Sequence, residues 1–201
     1  MNIEFRKVVI PDENEALCAF DRIAFAQFPA DLFEKEEWAE FESHWMIVDG
    51  KTVGCSAFVH DVDFDETSKP GYLWIASTGV LPDHQGKGFG RMLKEWQIDY
   101  AKQHGFTVIV TNMRQSNSRI IKLNEKLGFT IREVVPEYYP DPTEDAIVME
   151  LKLFQEDAAA SRTDDHDQLA FTNPLRPSKT KKRFNRECEG MTSSQLLEGV
   201  G

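Results

Sequence analysis

Residues 78–93, TGVLPDHQGKGFGRML, decide the fold of this chain. The segment ends an apolar run at 72–81, YLWIASTGVL, whose small and apolar residues are typical of a central strand. Three glycines then follow within five positions, and a helical apolar pattern begins directly after them. Because glycine lacks a Cβ, the backbone N–H groups of such a turn can approach a bulky anion closely. The segment therefore predicts a strand, an anion-binding turn and a helix in succession.

The residues after the turn extend this unit to a second strand. The helix is predicted from four apolar residues at helical spacing: Phe89, Leu93, Trp96 and Tyr100. Gly105 is expected to end it, and residues 106–113, FTVIVTNM, predict the next strand. A strand–helix–strand unit of this kind is right-handed and brings its two strands together in parallel.

Flanking patterns predict strands and helices on both sides of this unit. Before it we expect a strand at 2–10, helices at 13–28 and 31–43 with Asp31 capping the second, and a hairpin at 44–64 that turns at Asp49-Gly50. After it we expect a helix at 116–129 and strands at 129–139 and 145–153. The fold class is therefore α/β: a mixed, mostly antiparallel sheet of about seven strands with about four helices.

Composition divides the chain into a folded domain at 1–153 and a tail at 154–201. The tail lacks periodic apolar faces and is predicted to be disordered. Its basic stretch at 176–186 suits a solvated linker, or an electrostatic contact to an acidic partner such as the domain itself. The domain carries 26 acidic and 16 basic side chains, a balance that disfavours nucleic acid and tolerates a cationic amine.

Cysteine usage and hydropathy indicate a cytoplasmic protein. The three cysteines are scattered and form no C-x-x-C pair, which favours reduced thiols over disulfides or zinc. No apolar run approaches the roughly 20 residues of a membrane span, and the N-terminus is too polar for a signal peptide. The five histidines do not cluster with cysteines or carboxylates, so we expect no metal site and no membrane partner.

Two phosphate-binding motifs fail at the glycine turn. A P-loop needs a first glycine where Leu81 stands and a hydroxyl where Gly88 stands. A dinucleotide turn needs its last glycine at Arg91 and an acidic residue near Asn112.

The pattern Q-x-x-G-x-G at Gln85, Gly88 and Gly90 resembles the pyrophosphate loop of the GCN5-related N-acetyltransferases (GNAT). SNSRIIKLNEKLGF at 116–129 looks like the asparagine-bearing helix of that family. EYYPDPTEDAIVMEL at 137–151 is most similar to the ribosomal-protein-alanine N-acetyltransferases. The resemblance covers about residues 2–153 and implies the acyl-CoA N-acyltransferase fold.

The resemblance implies acetyl-CoA as the co-substrate and assigns residues to it. Backbone groups of Gly79, Val80 and Leu81 would contact the pantetheine arm, and the N–H of Val80 or Leu81 would polarise the thioester carbonyl. Asn117 would hold the pantetheine amides, or would be an ordinary helix N-cap. The pyrophosphate would be wrapped by the turn, with charge from Lys87 and Arg91 that could equally be ordinary surface charge. The residues of this turn are Gln85, Gly86, Lys87, Gly88, Phe89, Gly90 and Arg91.

Two positions depart from the family pattern. Asn124 stands where the family has a tyrosine acid, and Asn112 stands where the alanine acetyltransferases have a glutamate base. An amide can donate and accept hydrogen bonds, but it cannot carry a proton. Asn124 could still steady the leaving thiolate through an N–H bond.

Five other residues are candidates for roles in or near the predicted site. A water between Ser77 and Thr78 could relay the proton. Tyr138 and Tyr139 would cover the substrate cleft, although packing on the sheet is an alternative for Tyr139. Core packing is the expected role of Trp74.

These residues predict acetyl transfer from acetyl-CoA to a primary amine by direct attack. Without a strong base, the acceptor should be an amine that is already partly neutral. An α-amine of pKa about 7.8 is roughly one-seventh neutral at pH 7, whereas lysine is neutral in about one molecule in 2500. A peptide or protein N-terminus is therefore favoured. The alternatives are a small-molecule amine acetyltransferase and a non-catalytic acyl-CoA-binding module.

Overall fold

The computed structural model describes residues 1–60 and 71–153, which form a sheet with helices on both faces. The strands are β1 Ile3–Lys7, β2 Glu42–Val48, β3 Lys51–His60, β4 Tyr72–Val80, β5 Val108–Arg114, β6 Thr130–Pro140 and β7 Thr143–Lys152. The helices are α1 Asn14–Ala24, α2 Lys35–Glu40, α3 Phe89–Gln103 and α4 Ser118–Lys126, with short 3₁₀ turns at Pro29–Asp31 and Pro82–His84.

The sheet has the strand order β1-β2-β3-β4-β5-β7-β6. Only the central β4–β5 pair is parallel, and every other neighbouring pair is antiparallel. Helix α3 connects the parallel strands, as expected for a strand–helix–strand unit. The predicted fold class is therefore confirmed.

The first hairpin turns where the sequence predicts. Asp49 and Gly50 have φ angles of 48° and 79°, and Val48 pairs with Lys51 across the turn. Two successive positive φ angles define the tight turn that matches the twist of paired strands. The last part of the predicted hairpin, beyond His60, lies outside the described residues, as does the predicted tail.

The predicted boundaries of the first two helices are wrong. Helix α1 ends at Ala24, and α2 begins at Lys35 rather than after Asp31. Glu34 is the N-cap of α2, in a reciprocal capping box with Glu37. Asp31 does not cap the helix because its carboxylate binds a distant arginine, as described below. Long-range pairing therefore overrides the local capping signal.

The two faces of the sheet bury separate sets of side chains. Helices α1 and α2 cover the first face, whose cluster includes Leu17, Phe20, Trp38 and Trp45. Helices α3 and α4 cover the second face, whose cluster includes Phe58, Ile75, Ile109 and Met149. Among the described helices, none has both the length and the apolar character needed to cross a bilayer.

Candidate active site

Strands β4 and β5 separate beyond the middle of the sheet. They pair only from Tyr72 with Val108 to Ile75 with Thr111. Both strands continue past this point, β4 to Val80 and β5 to Arg114, without pairing to each other. The result is a notch in the sheet, which we call the β4–β5 notch, bounded by residues 76–80 and 112–114.

A β-bulge accompanies this separation. Ala57 pairs with Ser77, whereas the next residue, Phe58, pairs with Ile75, so Ala76 is an extra residue in β4. A bulge bends its strand and increases the local twist, which carries the end of β4 away from β5. Because Ala76 is an extra residue, each later side chain of β4 lies on the face opposite to the one that strict alternation along the strand would give it.

The amide of Val80 is the one that faces the notch. Leu81 N–H donates to the Val53 carbonyl of β3 at 3.0 Å. Because neighbouring backbone amides of an extended chain point to opposite sides, the Val80 amide is directed away from β3 and into the notch. The side chain of Gln85 donates to the Val80 carbonyl at 3.0 Å and holds this strand end. The proposed oxyanion role is therefore open to Val80, and the alternative at Leu81 is wrong.

Gly79 is required by the packing of α1 against β4. A Cβ at this position would lie 2.8 Å from the ring of Phe20 and 3.2 Å from that of Phe25. The glycine thus lets α1 approach the strand that carries the Val80 amide. Its predicted contact with the pantetheine arm stays a prediction.

The glycine turn forms an open cradle at the start of α3. Gly86 and Gly88 have φ angles of 77° and 90°, and Gly88 is the N-cap of the helix. A Cβ at Gly86, Gly88 or Gly90 would meet nothing within 4 Å, so the chain's own packing does not require these glycines to be small. Among the described residues, no acceptor binds the amides of residues 86–90. A helix N-terminus with free N–H groups and open space in front of it fits a diphosphate.

The two cations of the turn are at the surface. Arg91 Nε donates to Glu95 at 2.8 Å, and both side chains are largely exposed. An exposed pair of this kind contributes little energy, so the guanidinium can exchange partners readily. Lys87 has no ion-pair partner within the part of the chain that the structure describes.

Asn117 is the N-cap of α4. Its Oδ1 accepts a hydrogen bond from Ile120 N–H at 3.4 Å, and its side chain is exposed. Capping uses only the amide oxygen, which leaves the NH₂ group available to a ligand. The N-cap interpretation is thus what the structure shows, and the contact with pantetheine stays a prediction.

Asn124 is fully enclosed by the core of the second face. Its Nδ2 lies 3.5 Å from the sulfur of Met113 and 3.8 Å from that of Met149, and the residue has no exposed surface. Within the described residues, its Oδ1 has no hydrogen-bond partner. Leaving a buried acceptor unpaired costs about 1–3 kcal/mol, so this amide is poorly satisfied where it lies. Its predicted contact with the leaving thiolate stays a prediction.

Asn112 is held between two aromatic side chains. Its Oδ1 accepts from Trp74 Nε1 at 3.2 Å, and its Nδ2 donates to the Tyr139 hydroxyl at 3.1 Å. Trp74, expected in the core, is instead half-buried and belongs to this hydrogen-bonded chain. The amide therefore orients Tyr139, whose own O–H remains free to donate to a ligand.

The paired tyrosines are neutral donors at physiological pH. Burial, with Asp31 nearby, raises the pKa of Tyr138 to about 12. Burial also raises the pKa of Tyr139 above its ordinary value. Phenols of such high pKa cannot take a proton from an amine near pH 7, although each can donate a hydrogen bond.

The predicted water relay between Ser77 and Thr78 is wrong. Adjacent side chains of a strand point to opposite faces. Thr78 accepts from Gln97 of α3 at 2.8 Å, whereas Ser77 pairs with Ala57 on the opposite face. One water cannot serve both hydroxyls in this arrangement.

Arg114 is a residue of this site that the sequence patterns missed. All five of its N–H donors are used, and only 4% of its side chain is exposed. Two donors bind the Asp31 carboxylate at 2.8 and 3.0 Å, and one binds Glu144 at 3.2 Å. The other two bind the carbonyls of Asp141 and Pro142, each at 2.9 Å.

The guanidinium of Arg114 also lies between two aromatic rings. Its carbon is 4.2 Å from the centre of Phe28 and 4.5 Å from that of Tyr139. It thereby fixes the first 3₁₀ turn and the β6–β7 turn beside the paired tyrosines. No local pattern could reveal this, because Asp31 lies 83 positions from Arg114 in the sequence.

No metal cluster accompanies these residues. Within residues 1–60 and 71–153, no three histidine, cysteine or acidic side chains are arranged to hold an ion. The site therefore consists of a backbone anion cradle, a notch lined by free backbone groups, and an aromatic acceptor side with Arg114 and its carboxylates.

A protein with this sheet, notch and cradle belongs to the acetyltransferase (GNAT) family, whose family model matches residues 13–129. In sequence the chain is similar to the [ribosomal protein bS18]-alanine N-acetyltransferase of Escherichia coli, with 40% identity over 81 residues. That match covers 39% of this chain and 55% of the relative, so the chain spans about half the length of this curated relative. The L-amino acid N-acyltransferase MnaT of Escherichia coli is 39% identical over 61 residues, which cover 30% of this chain and 36% of that relative.

Solved structures share the fold. The ribosomal-protein-S18-alanine N-acetyltransferase from Escherichia coli superposes with a TM-score of 0.65 at 23% identity, covering 80% of this chain and 100% of that one. A Bacillus subtilis acetyltransferase in complex with CoA gives a TM-score of 0.61 at 18% identity, covering 76% and 100%. The predicted fold and family are thus confirmed.

Proposed function

We propose that this chain is an acetyl-CoA-dependent N-acetyltransferase that acts on a primary amine. The observation that carries the proposal is the set of unpartnered amides at residues 86–90, directly beside the β4–β5 notch. Bound acetyl-CoA would supply an activated acetyl thioester. The relative in the Bacillus structure carries CoA, which supports the same ligand here.

Some residues of the chain bind the diphosphate of acetyl-CoA, and others stabilise the charge that develops on the thioester oxygen. The amides of residues 86–90 hold the diphosphate, with Lys87 and Arg91 adding positive charge. The Val80 amide donates to the thioester oxygen, where negative charge develops during attack. A fixed backbone donor at this place typically contributes about 10²–10³-fold in rate.

Transfer is direct, without an acyl-enzyme. Among the described cysteines, Cys18 and Cys55 are both buried, and burial raises the pKa of the Cys55 thiol above its ordinary value. A thiol that stays protonated is a poor nucleophile. The acceptor amine attacks the acyl carbon itself: the carbon–nitrogen bond forms, the carbon–sulfur bond breaks, CoA leaves as the thiolate, and the proton released by the amine passes to solvent. Free buried thiols also suit a reducing compartment such as the cytoplasm.

The acceptor we propose is an α-amine at a peptide or protein N-terminus. On the acceptor side, neither Asn112 nor the two high-pKa tyrosines can act as a strong base. An amine that is already partly neutral near pH 7 needs none. The acidic side chains Asp31 and Glu144 beside Tyr139 would favour a cationic group entering the cleft. The similarity to an enzyme named for a protein alanine supports the same choice.

A thiol-release assay tests this acceptor class. Acetyl-CoA is supplied with two peptides of one sequence, one with a free N-terminus and no lysine, the other Nα-acetylated with a single lysine. The free N-terminus should react at least 100-fold faster at pH 7.5, and mass spectrometry should place the acetyl group on the α-nitrogen. Equal rates for the two peptides would overturn the α-amine proposal.

A small amino acid is the second candidate acceptor. The match to an L-amino acid N-acyltransferase is the observation that favours it. Free alanine, methionine and phenylalanine in the same assay separate the candidates, because only this second acceptor class predicts turnover with amino acids and none with peptides. No thiol release with any amine, together with tight acetyl-CoA binding, would identify a non-catalytic binding module.

A further inference from the structure

Lys94 is buried in the second turn of α3. Only 2% of its surface is exposed. No described residue accepts a hydrogen bond from its amine or lies within ion-pair distance of it. Lysine is almost never buried this fully unless it is paired, because an isolated ammonium is costly to remove from water.

The contacts of its neighbours place Lys94 on the side of α3 that faces the notch. Leu93 lies over Gly54 of β3, and Gln97 donates to Thr78 of β4. Phe89 packs together with Leu93 in the cluster of β2 and β3. By helical periodicity, Lys94 shares its face with Gly90, four positions before it, and Ile98, four positions after it.

Helix geometry predicts that the Lys94 side chain leans toward the glycine turn. Helical side chains lean toward the helix N-terminus, so a residue covers the turn that precedes it. For Lys94 that turn is Gly90, which has no side chain, and the amides of residues 86–90 lie just beyond it. One helical turn is about 5.4 Å, a distance that an extended lysine side chain spans.

Burial, and not a neighbouring charge among the described residues, sets the electrostatic environment of Lys94. Burial lowers the pKa of its ammonium to about 7, and no described charged group contributes to this shift. The residues that face this side of α3 from β3, β4, β5 and α4 are uncharged: Gly54, Ser56, Thr78, Val80, Thr111, Met113, Ile120 and Ile121. The titratable and charged side chains of the turn and of the 3₁₀ turn before it are Asp83, His84, Lys87 and Arg91. An anion bound close by would favour the protonated amine.

We propose that Lys94 is a buried binding residue for the diphosphate of acyl-CoA and takes up a proton when that ligand binds. This inference rests on the proposed function for its ligand. Lys94 then carries a positive charge only while acyl-CoA is bound. Affinity for acyl-CoA then falls as the pH rises above neutrality, because the free protein must acquire a proton to bind.

Isothermal titration of acetyl-CoA into the full chain, without acceptor amine, tests the proposal. At pH 7.5, a pKa of about 7 leaves the free amine mostly neutral, so binding should take up roughly 0.7 proton per site. Running the titration in buffers of different ionisation enthalpy, such as Tris and PIPES, measures that number. Lys94→Met should lose this uptake and bind about tenfold more weakly, whereas Lys87→Met should weaken binding but keep the uptake.

The outcomes separate this inference from the proposed function. If Lys94→Met binds acetyl-CoA with wild-type affinity and proton uptake, Lys94 is a core residue and the inference is overturned. If the wild type itself shows no binding, the proposed function fails first. A direct measurement avoids any folding defect of the variant: the side-chain amine of Lys94, followed by NMR in the wild type, should titrate near pH 7 alone and above pH 9 with acetyl-CoA. An unmoved titration contradicts the proposal.

Discussion

At the glycine turn, the positions where folding requires glycine differ from those where ligand binding would require it. Gly88 is held at a φ of 90°, where a side chain is strained regardless of space. Gly90 has an ordinary helical backbone, and a Cβ there would meet nothing. Folding therefore requires glycine at 88 but not at 90, whereas close approach of a diphosphate would require it at both.

Gly90→Ala should therefore keep or raise the stability of the fold, whereas Gly90→Val should weaken the binding of acetyl-CoA. Alanine is a better helix former than glycine by about 1 kcal/mol, so Gly90→Ala should melt at or above the wild-type temperature. Gly90→Val should still fold but bind acetyl-CoA at least tenfold more weakly, because its side chain fills the cradle. Thermal melts and calorimetry measure the two effects. Wild-type affinity in Gly90→Val would show that the cradle is not where the diphosphate binds.

At the scale of elements, the packing of β2 on α3 contains a buried histidine. His44 lies among the rings of Phe58, Trp96 and Tyr100, and its Nδ1 has no partner within the described residues. Burial lowers its pKa to about 4, against an opposing pull from Glu42. The folded protein therefore holds this imidazole neutral through the range in which the unfolded chain protonates it.

The stability should fall as the pH drops from 6.5 toward 4. In this window the unfolded state binds more protons at position 44 than the folded state does, so acid favours unfolding. The loss is on the order of 2–3 kcal/mol at the lower end. Urea unfolding of the wild type and of His44→Asn across this range measures it, with His84→Asn as the matched control. The same pH slope in wild type and His44→Asn would contradict the assignment.

Elements were predictable where the deciding interactions are local. The Asp49-Gly50 turn and the glycine turn before α3 follow from backbone conformations that few residues adopt, so the sequence reveals them directly. The start of α2 was misplaced because Asp31 binds Arg114 instead of capping its own helix. Lys94 was missed for a related reason. Its burial depends on how α3 packs against the sheet, and the spacing of apolar residues does not reveal that packing.

At the scale of the whole molecule, Arg114 connects parts of the chain that are distant in sequence. Its guanidinium joins the segment before α2, the end of β5 and the β6–β7 turn. A buried charge with every donor satisfied is costly to disturb, because removing it leaves two carboxylates unpaired. The acceptor side of the site therefore depends on one residue for its shape.

Arg114→Lys should destabilise the protein by about 3 kcal/mol or more, since lysine cannot reproduce the paired bonds to Asp31 or lie flat between two rings. Its melting temperature should fall, and its KM for the acceptor amine should rise more than that for acetyl-CoA. Arg91→Lys is the matched control on the surface and should change the melting temperature little. An unchanged acceptor KM in folded Arg114→Lys would rule out a role in shaping that side.

The bulge at Ala76 has a consequence for how this architecture tolerates insertions and deletions. Removing that single residue would restore uninterrupted register with β3 and would leave Ser77 opposite Ala57 on the same face as before. Gly79 would still face the ring of Phe20, but the last part of β4 would lose the bend that the bulge causes and would be free to pair with β5. The sheet would gain hydrogen bonds, but these bonds would occupy the backbone groups of the β4–β5 notch that we propose bind the thioester.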